Sequence, residues 1–138
     1  MKKAVIYWSG TGNTEIMAKD VAQGMGADTE IFTVDAFHGN ISEYDKIAFG
    51  CPSMGDEVLE ESEFDPFFTS IEPKLSGKKI ALFGSYGWGD GQWMRNWCER
   101  CDKLNANLFN EEGLILCGTP DTDGKAACVK LGEDFAAY

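Results

Sequence analysis

Positive charge is scarce in this chain, and histidine nearly absent. It has 12 lysines and arginines against 23 aspartates and glutamates, a formal net charge of −11, and one histidine, His38. So acidic a chain is a poor partner for nucleic acid or for an anionic membrane surface, both of which attract basic patches. It suits a partner carrying a basic patch, with association that weakens as salt rises. A lone histidine gives little support to a histidine-based triad or metal cluster. His38 falls in an expected loop, where it is solvated. Long apolar runs are missing too, and no stretch approaches a membrane span. Lys2 and Lys3 imitate the start of a signal sequence, but only five apolar residues follow, Ala4 to Trp8, before a polar loop. The five cysteines are odd in number and scattered over expected strands and helices, which argues against a disulfide framework. Repeats, linkers and low-complexity tracts are absent. The expectation is one cytoplasmic domain, residues 1–138, with a sizeable core.

What is present begins with Ser9-Gly10-Thr11-Gly12-Asn13-Thr14, between the apolar run and a helical pattern starting near Glu15. Strand, hydroxyl-and-glycine loop, helix is the layout of an anion site, because loop amides and the positive helix end face one point. A P-loop would need Lys and then Ser or Thr after its last glycine, and this loop has no basic residue. A dinucleotide fingerprint would need glycine where Glu15 stands. The loop therefore suits one terminal phosphate, held by amides and hydroxyls, and a mononucleotide cofactor fits it better than ATP or NAD.

Strands and helices alternate along the rest. Strands are expected at Ala4–Trp8, Thr29–Val34, Lys46–Cys51 and Lys79–Ser85, and a broken fifth at Asn107–Phe109 and Leu114–Cys117. Helices are expected from Asn13 to the glycines Gly24 and Gly26, from an N-cap at Asp65 before Pro66, over Trp93–Leu104, and from about Lys125. This order gives a parallel sheet with helices on both faces, and ligands of such sheets sit at the strands' carboxyl ends. Three more loops should join the first there: Cys51-Pro52-Ser53-Met54-Gly55-Asp56-Glu57, Ser85-Tyr86-Gly87-Trp88-Gly89-Asp90-Gly91 and Cys117-Gly118-Thr119-Pro120-Asp121. Met54 and Trp88, set among glycines and polar residues, could clamp a planar ring between sulfur and indole. Trp93, Trp97, Phe67 and Phe68 lie at helical spacing and read as core. Cys98 and Cys101 have CxxC spacing but fall inside an expected helix, which reads as packing rather than redox or zinc chemistry.

The strings Tyr7-Trp8-Ser9-Gly10-Thr11-Gly12-Asn13-Thr14, Met54-Gly55-Asp56-Glu57 and Gly84-Ser85-Tyr86-Gly87-Trp88-Gly89-Asp90-Gly91 resemble those of short-chain flavodoxins over essentially the whole chain. The resemblance implies a flavodoxin-like three-layer α/β sandwich of strand order 2-1-3-4-5, non-covalently bound FMN, and low-potential one-electron transfer between semiquinone and hydroquinone in place of or beside ferredoxin. It implies phosphate contacts from Ser9, Thr11, Asn13, Thr14 and Ser85, with Gly10 and Gly12 in the same loop. Met54 and Trp88 would flank the isoalloxazine. Gly55 would present its carbonyl to N5, and Glu57 would accept from N3–H. The amides of Gly87, Trp88 and Gly89 would meet the pyrimidine edge. Pro52, Ser53, Asp56, Tyr86, Asp90, Cys117 and Gly118 complete the implied lining. Pro52 stands where some relatives have a phosphate-contacting serine, and Cys117-Gly118 where relatives often carry asparagine.

Six acids and no base lie between Asp56 and Asp65, namely Asp56, Glu57, Glu60, Glu61, Glu63 and Asp65. With Asp90 they would disfavour a second electron on the ring by repulsion. The expected partners are redox proteins with basic docking patches, reductases and anaerobic oxidoreductases among them, met by a monomer. Two other readings are a small FMN-dependent reductase and a flavin-bearing activator of one dedicated enzyme. The chain has no NAD(P) fingerprint and few residues to spare for a substrate domain, which favours the carrier.

Overall fold

The three most apolar runs become the centre of a parallel sheet. The computed structural model describes all 138 residues. Strands β1 (Lys3–Tyr7), β2 (Glu30–Thr33), β3 (Lys46–Gly50) and β4 (Lys79–Tyr86) run parallel in the order β2-β1-β3-β4. The fifth position is split, as the sequence implies: β5 (Asn107–Leu108) pairs with the start of β4, and β6 (Leu114–Cys117) with Phe83–Tyr86. A 3-10 turn at Phe109–Glu111 separates them, with Asn110 and Glu111 at φ 61 and 57.

Continuous apolar strands serve two faces at once, since successive side chains alternate. Ala4, Ile6, Ile47, Phe49, Ile80 and Leu82 face one core with α2 (Phe64–Ile71) and α3 (Gln92–Lys103). Val5, Tyr7, Ala48, Ala81 and Phe83 face the other, with α1 (Asn13–Met25) and α4 (Thr122–Ala136). Trp93, Trp97 and Phe68 are fully buried in the first core, as their spacing implies. Cys101 is buried in α3 and its thiol is pushed up to about 12, chiefly by burial, which suits packing rather than thiolate chemistry.

Two boundary expectations are corrected. Gly24 lies inside α1, and only Gly26 caps it, at φ 125. A β-carbon on Gly24 would stand 2.0 Å from the Val129 carbonyl oxygen, and one on Gly132 2.1 Å from that of Val21, so these glycines let α1 and α4 touch backbone to backbone. Asp65 is not the cap of α2 but sits in its first turn. No helix is long and apolar enough to cross a membrane.

Candidate functional site

β1 and β3 are neighbours whose chains leave in opposite directions across the sheet, so their carboxyl ends open a crevice at the switch point. Above β1 the chain turns at Gly12, φ 100, where nothing lies within 4 Å of a would-be β-carbon. Ser9 Oγ accepts from the amides of Gly12 and Glu15, each at 3.2 Å, and Thr11 Oγ1 from that of Asn13 at 3.4 Å. The hydroxyls of Thr14 and Ser85, 1% and 4% exposed, share a hydrogen bond of 2.8 Å that ties this loop to the end of β4. Thr119 Oγ1 donates to Asn13 Oδ1 at 3.1 Å, so the loop after β6 reaches the same place. Hydroxyls that can give or take a proton, with amides at a helix's positive end, form a donor set suited to a phosphate ester.

Above β3 the chain makes a tight hairpin. Met54 and Val58 exchange backbone hydrogen bonds of 2.8 and 2.9 Å around Gly55-Asp56-Glu57. Gly55 takes φ 50 and Glu57 φ 56. For Glu57 that conformation costs roughly 1–2 kcal/mol, and its side chain is what holds it. Oε1 accepts from the Gln92 amide at 3.0 Å, at the start of α3, while Oε2 has no partner. The carboxylate packs over Gly89, φ 85, where a β-carbon would stand 2.5 Å from Cδ. Glu57 therefore locks the hairpin to the loop after β4. On the two loops so joined, Met54 and Trp88 are 38% and 61% exposed.

The acids divide into groups. Glu60 is buried, and burial pushes its carboxyl up. Hydrogen bonds from the Ser62 hydroxyl and the amides of Phe64, Glu63 and Ser62 outweigh this and hold it below the usual range. Glu60 thus performs the capping of α2 that the sequence assigned to Asp65. Asp65 instead binds Arg100 at 2.9 Å, and Asp90 binds Arg95 at 2.9 Å. Glu63 accepts from the Trp8 indole at 3.2 Å. The expected block of repelling charge is smaller than its count: two of the acids are paired with arginines, and the Glu60 charge is met by the amides at the start of α2.

A family model described as flavodoxin matches residues 5–132. The chain is 46% identical to a flavodoxin of Clostridium beijerinckii, over 96% of this chain and 97% of that one. It is 44% identical to a flavodoxin of Megasphaera elsdenii, over 96% of each. The chain belongs to the flavodoxin family. The solution structure of two-electron reduced Megasphaera elsdenii flavodoxin superposes on it with a TM-score of 0.86, covering 99% of both chains at 42% identity. Flavodoxins are FMN-binding electron carriers rather than enzymes, and this chain takes its cofactor and its activity from that membership.

The residues present fit FMN. The Ser9–Thr14 loop offers hydroxyls and amides with no lysine, as a phosphate ester requires, and the large exposed side chains Met54 and Trp88 at the rim suit a planar ring. The implied lining is not uniform, however. Tyr86 packs its ring on Trp93 at 5.6 Å between centroids, so the ring is engaged with α3. Pro52 has no amide proton to give, but Ser53 donates its amide to the Ser85 carbonyl at 3.0 Å. Gly118, φ 70, donates to the Tyr86 carbonyl at 2.8 Å, and Cys117 is exposed beside it. The sequence places Thr119 in the fourth loop and Trp8 at the end of the first strand but gives neither a contact. A hydroxyl between Gly118 and Pro120 at a strand end was the available signal for the first. Nothing local marked the Trp8 contact with Glu63, which spans 55 positions. The larger surface depressions, of about 620 and 640 Å³, lie beside α3 and β5–β6, so residue chemistry rather than concavity marks the site.

Proposed function

We propose that FMN is held across these four loops, its phosphate at one end and its ring at the other. The amides and hydroxyls of Ser9, Gly10, Thr11, Gly12, Asn13, Thr14 and Ser85 bind the phosphate. Met54 and Trp88 cover opposite faces of the ring. Glu57 offers its unpartnered Oε2 to N3–H while Oε1 stays on Gln92, and the amides of Gly87, Trp88 and Gly89 serve the pyrimidine edge. Gly55 presents its carbonyl to N5. Ser53, Asp56, Asp90, Cys117 and Gly118 line the rim, with Pro52 and Tyr86 at its base. When bound, FMN accepts and releases electrons one at a time. The protein's part is to fix the ring, exclude water from one side, and set the charge around it.

The observation that carries this reading is the convergence itself. The Thr14–Ser85 bond joins the first and third loops, the Glu57–Gln92 bond the second and third, and Thr119–Asn13 the fourth and first. Such a carrier acts in the cytoplasm as one domain and as a monomer. It docks redox proteins through the exposed rim, whose unpaired acids meet a basic patch on the partner. Stepwise anaerobic reduction followed by visible absorption tests the assignment. Two resolved one-electron steps are expected, and direct two-electron bleaching would count against it. Loss of flavin binding in Ser9→Ala and Trp88→Ala variants separates the two ends of the site.

A further inference from the structure

Glu15 is the third residue of α1. A glutamate there commonly turns back to accept from the amide at the helix cap, closing a capping box. In this chain it does not. The Gly12 amide donates to Ser9 Oγ, and Glu15 Oε2 accepts instead from the Tyr7 hydroxyl at 3.0 Å. Tyr7 ends β1 and is 5% exposed, packed in the core beneath α1 and α4. Burial, then the hydrogen bond to Glu15, push its hydroxyl up to about 12, so it remains a donor at neutral pH.

We propose that Tyr7 is a positioning residue for the cofactor: it draws the Glu15 carboxylate off the N-terminus of α1, leaving that end open to the phosphate. The inference rests on the phosphate reading of the Ser9–Thr14 loop. A carboxylate that swung back would take the amides the phosphate requires. Its charge would also face a dianion in a loop that has no lysine or arginine to offset it. A phosphate site with its own cation could tolerate such a neighbour; a site made of amides and hydroxyls has no such reserve.

The test compares FMN with riboflavin, which lacks the phosphate. Dissociation constants for both are measured by flavin fluorescence quenching on the apoprotein, for wild type, Tyr7→Phe, Glu15→Gln and the double variant. Tyr7→Phe is expected to weaken FMN on the order of fivefold and to leave riboflavin unchanged. The double variant is expected to regain the lost FMN affinity, because the amide carries no charge to repel the phosphate. A Tyr7→Phe protein that loses both flavins equally would show packing alone and overturn the proposal. So would a double variant no better than Tyr7→Phe. Wild type binding riboflavin as tightly as FMN would remove the phosphate reading itself, a failure visible before any variant is made.

Discussion

The two ends of the site are built in opposite ways. The Ser9–Thr14 loop is held rigid, with Ser9 Oγ bonded to the Gly12 and Glu15 amides and Thr14 and Ser85 almost wholly buried. The Met54–Val58 hairpin projects into solvent, with two of its three central residues left-handed and one of those a glutamate. A preorganised anchor gives the same binding energy to every redox state of a ligand, so it sets affinity. A loop with accessible alternative conformations can favour one redox state over another, so it sets potential. The phosphate end should therefore govern how tightly FMN is held, and the ring end how readily it takes electrons.

Thr14→Val tests the anchor most severely. It removes a proposed phosphate donor and leaves the Ser85 hydroxyl buried with its partner gone. FMN affinity should fall by about 2 kcal/mol, roughly thirtyfold, while both reduction potentials stay nearly fixed. Fluorescence titration and potentiometry on one sample check both halves; a large shift in potential would break the division. Trp88→Ala should reduce affinity about tenfold and move the potentials as well, because the indole is proposed to cover the ring itself. Since Trp88 is 61% exposed, thermal unfolding of the apoprotein should change by no more than about 0.5 kcal/mol.

Gly55→Ala addresses the hairpin from the other side. No atom crowds a β-carbon there, so its effect comes from backbone conformation alone. Turning the Gly55 carbonyl to accept from the ring at N5 needs freedom that a β-carbon restricts, at a cost of about 1 kcal/mol. The first reduction potential should fall on the order of 50 mV, since 59 mV corresponds to about 1.4 kcal/mol for one electron. Gly55→Asn should do less, because asparagine visits the left-handed region more readily. Equal potentials in all three proteins would mean the loop does not move.

Just beyond the hairpin, Glu60 braces its return leg, and pH should expose this. Its folded-state carboxyl lies below the ordinary value, so its contribution is complete above about pH 4.3 and is lost as pH falls through the lower folded value. Glu60→Gln should cost about 1–2 kcal/mol at neutral pH and flatten that acid-side loss in denaturant melts.

How much of this the sequence disclosed depended on range. The sheet order, the split fifth strand, the hydroxyl-and-glycine turn into α1 and the exposed Met54 and Trp88 were legible, because each is written in a local run of residues. Gly24 misled, because a glycine near a helix end looks like a stop signal. Its reason lies in Val129, on a helix far along the chain. Asp65 before Pro66 looked like a cap, yet Glu60 reached the free amides first and Arg100 claimed the aspartate. Charge counts mislead in the same way where the partner is distant, as Arg100 is from Asp65.

That last point yields the smallest effect and the finest test of the contrast between the two ends. If the hairpin side sets potential partly by charge, acids with and without a cation should differ in whether removing the cation cancels their effect. Asp56, Glu61 and Glu63 have no salt bridge, whereas Asp65 and Asp90 hold arginines. Asp56→Asn, Glu61→Gln and Glu63→Gln should each raise the second potential on the order of 20 mV at low ionic strength, fading as salt screens them. Asp65→Asn removes one charge and leaves Arg100 paired with Glu72 alone, and Asp90→Asn unmasks Arg95. Each should therefore shift the potential in the same direction through the freed cation rather than through lost repulsion, and each shift should vanish when that arginine is also replaced by glutamine. For the unpaired acids the shift on neutralisation should be the same whether either arginine is present or replaced. Shifts that followed only the number of acids removed, whatever the arginines did, would show that the pairs carry no electrostatic meaning at this surface.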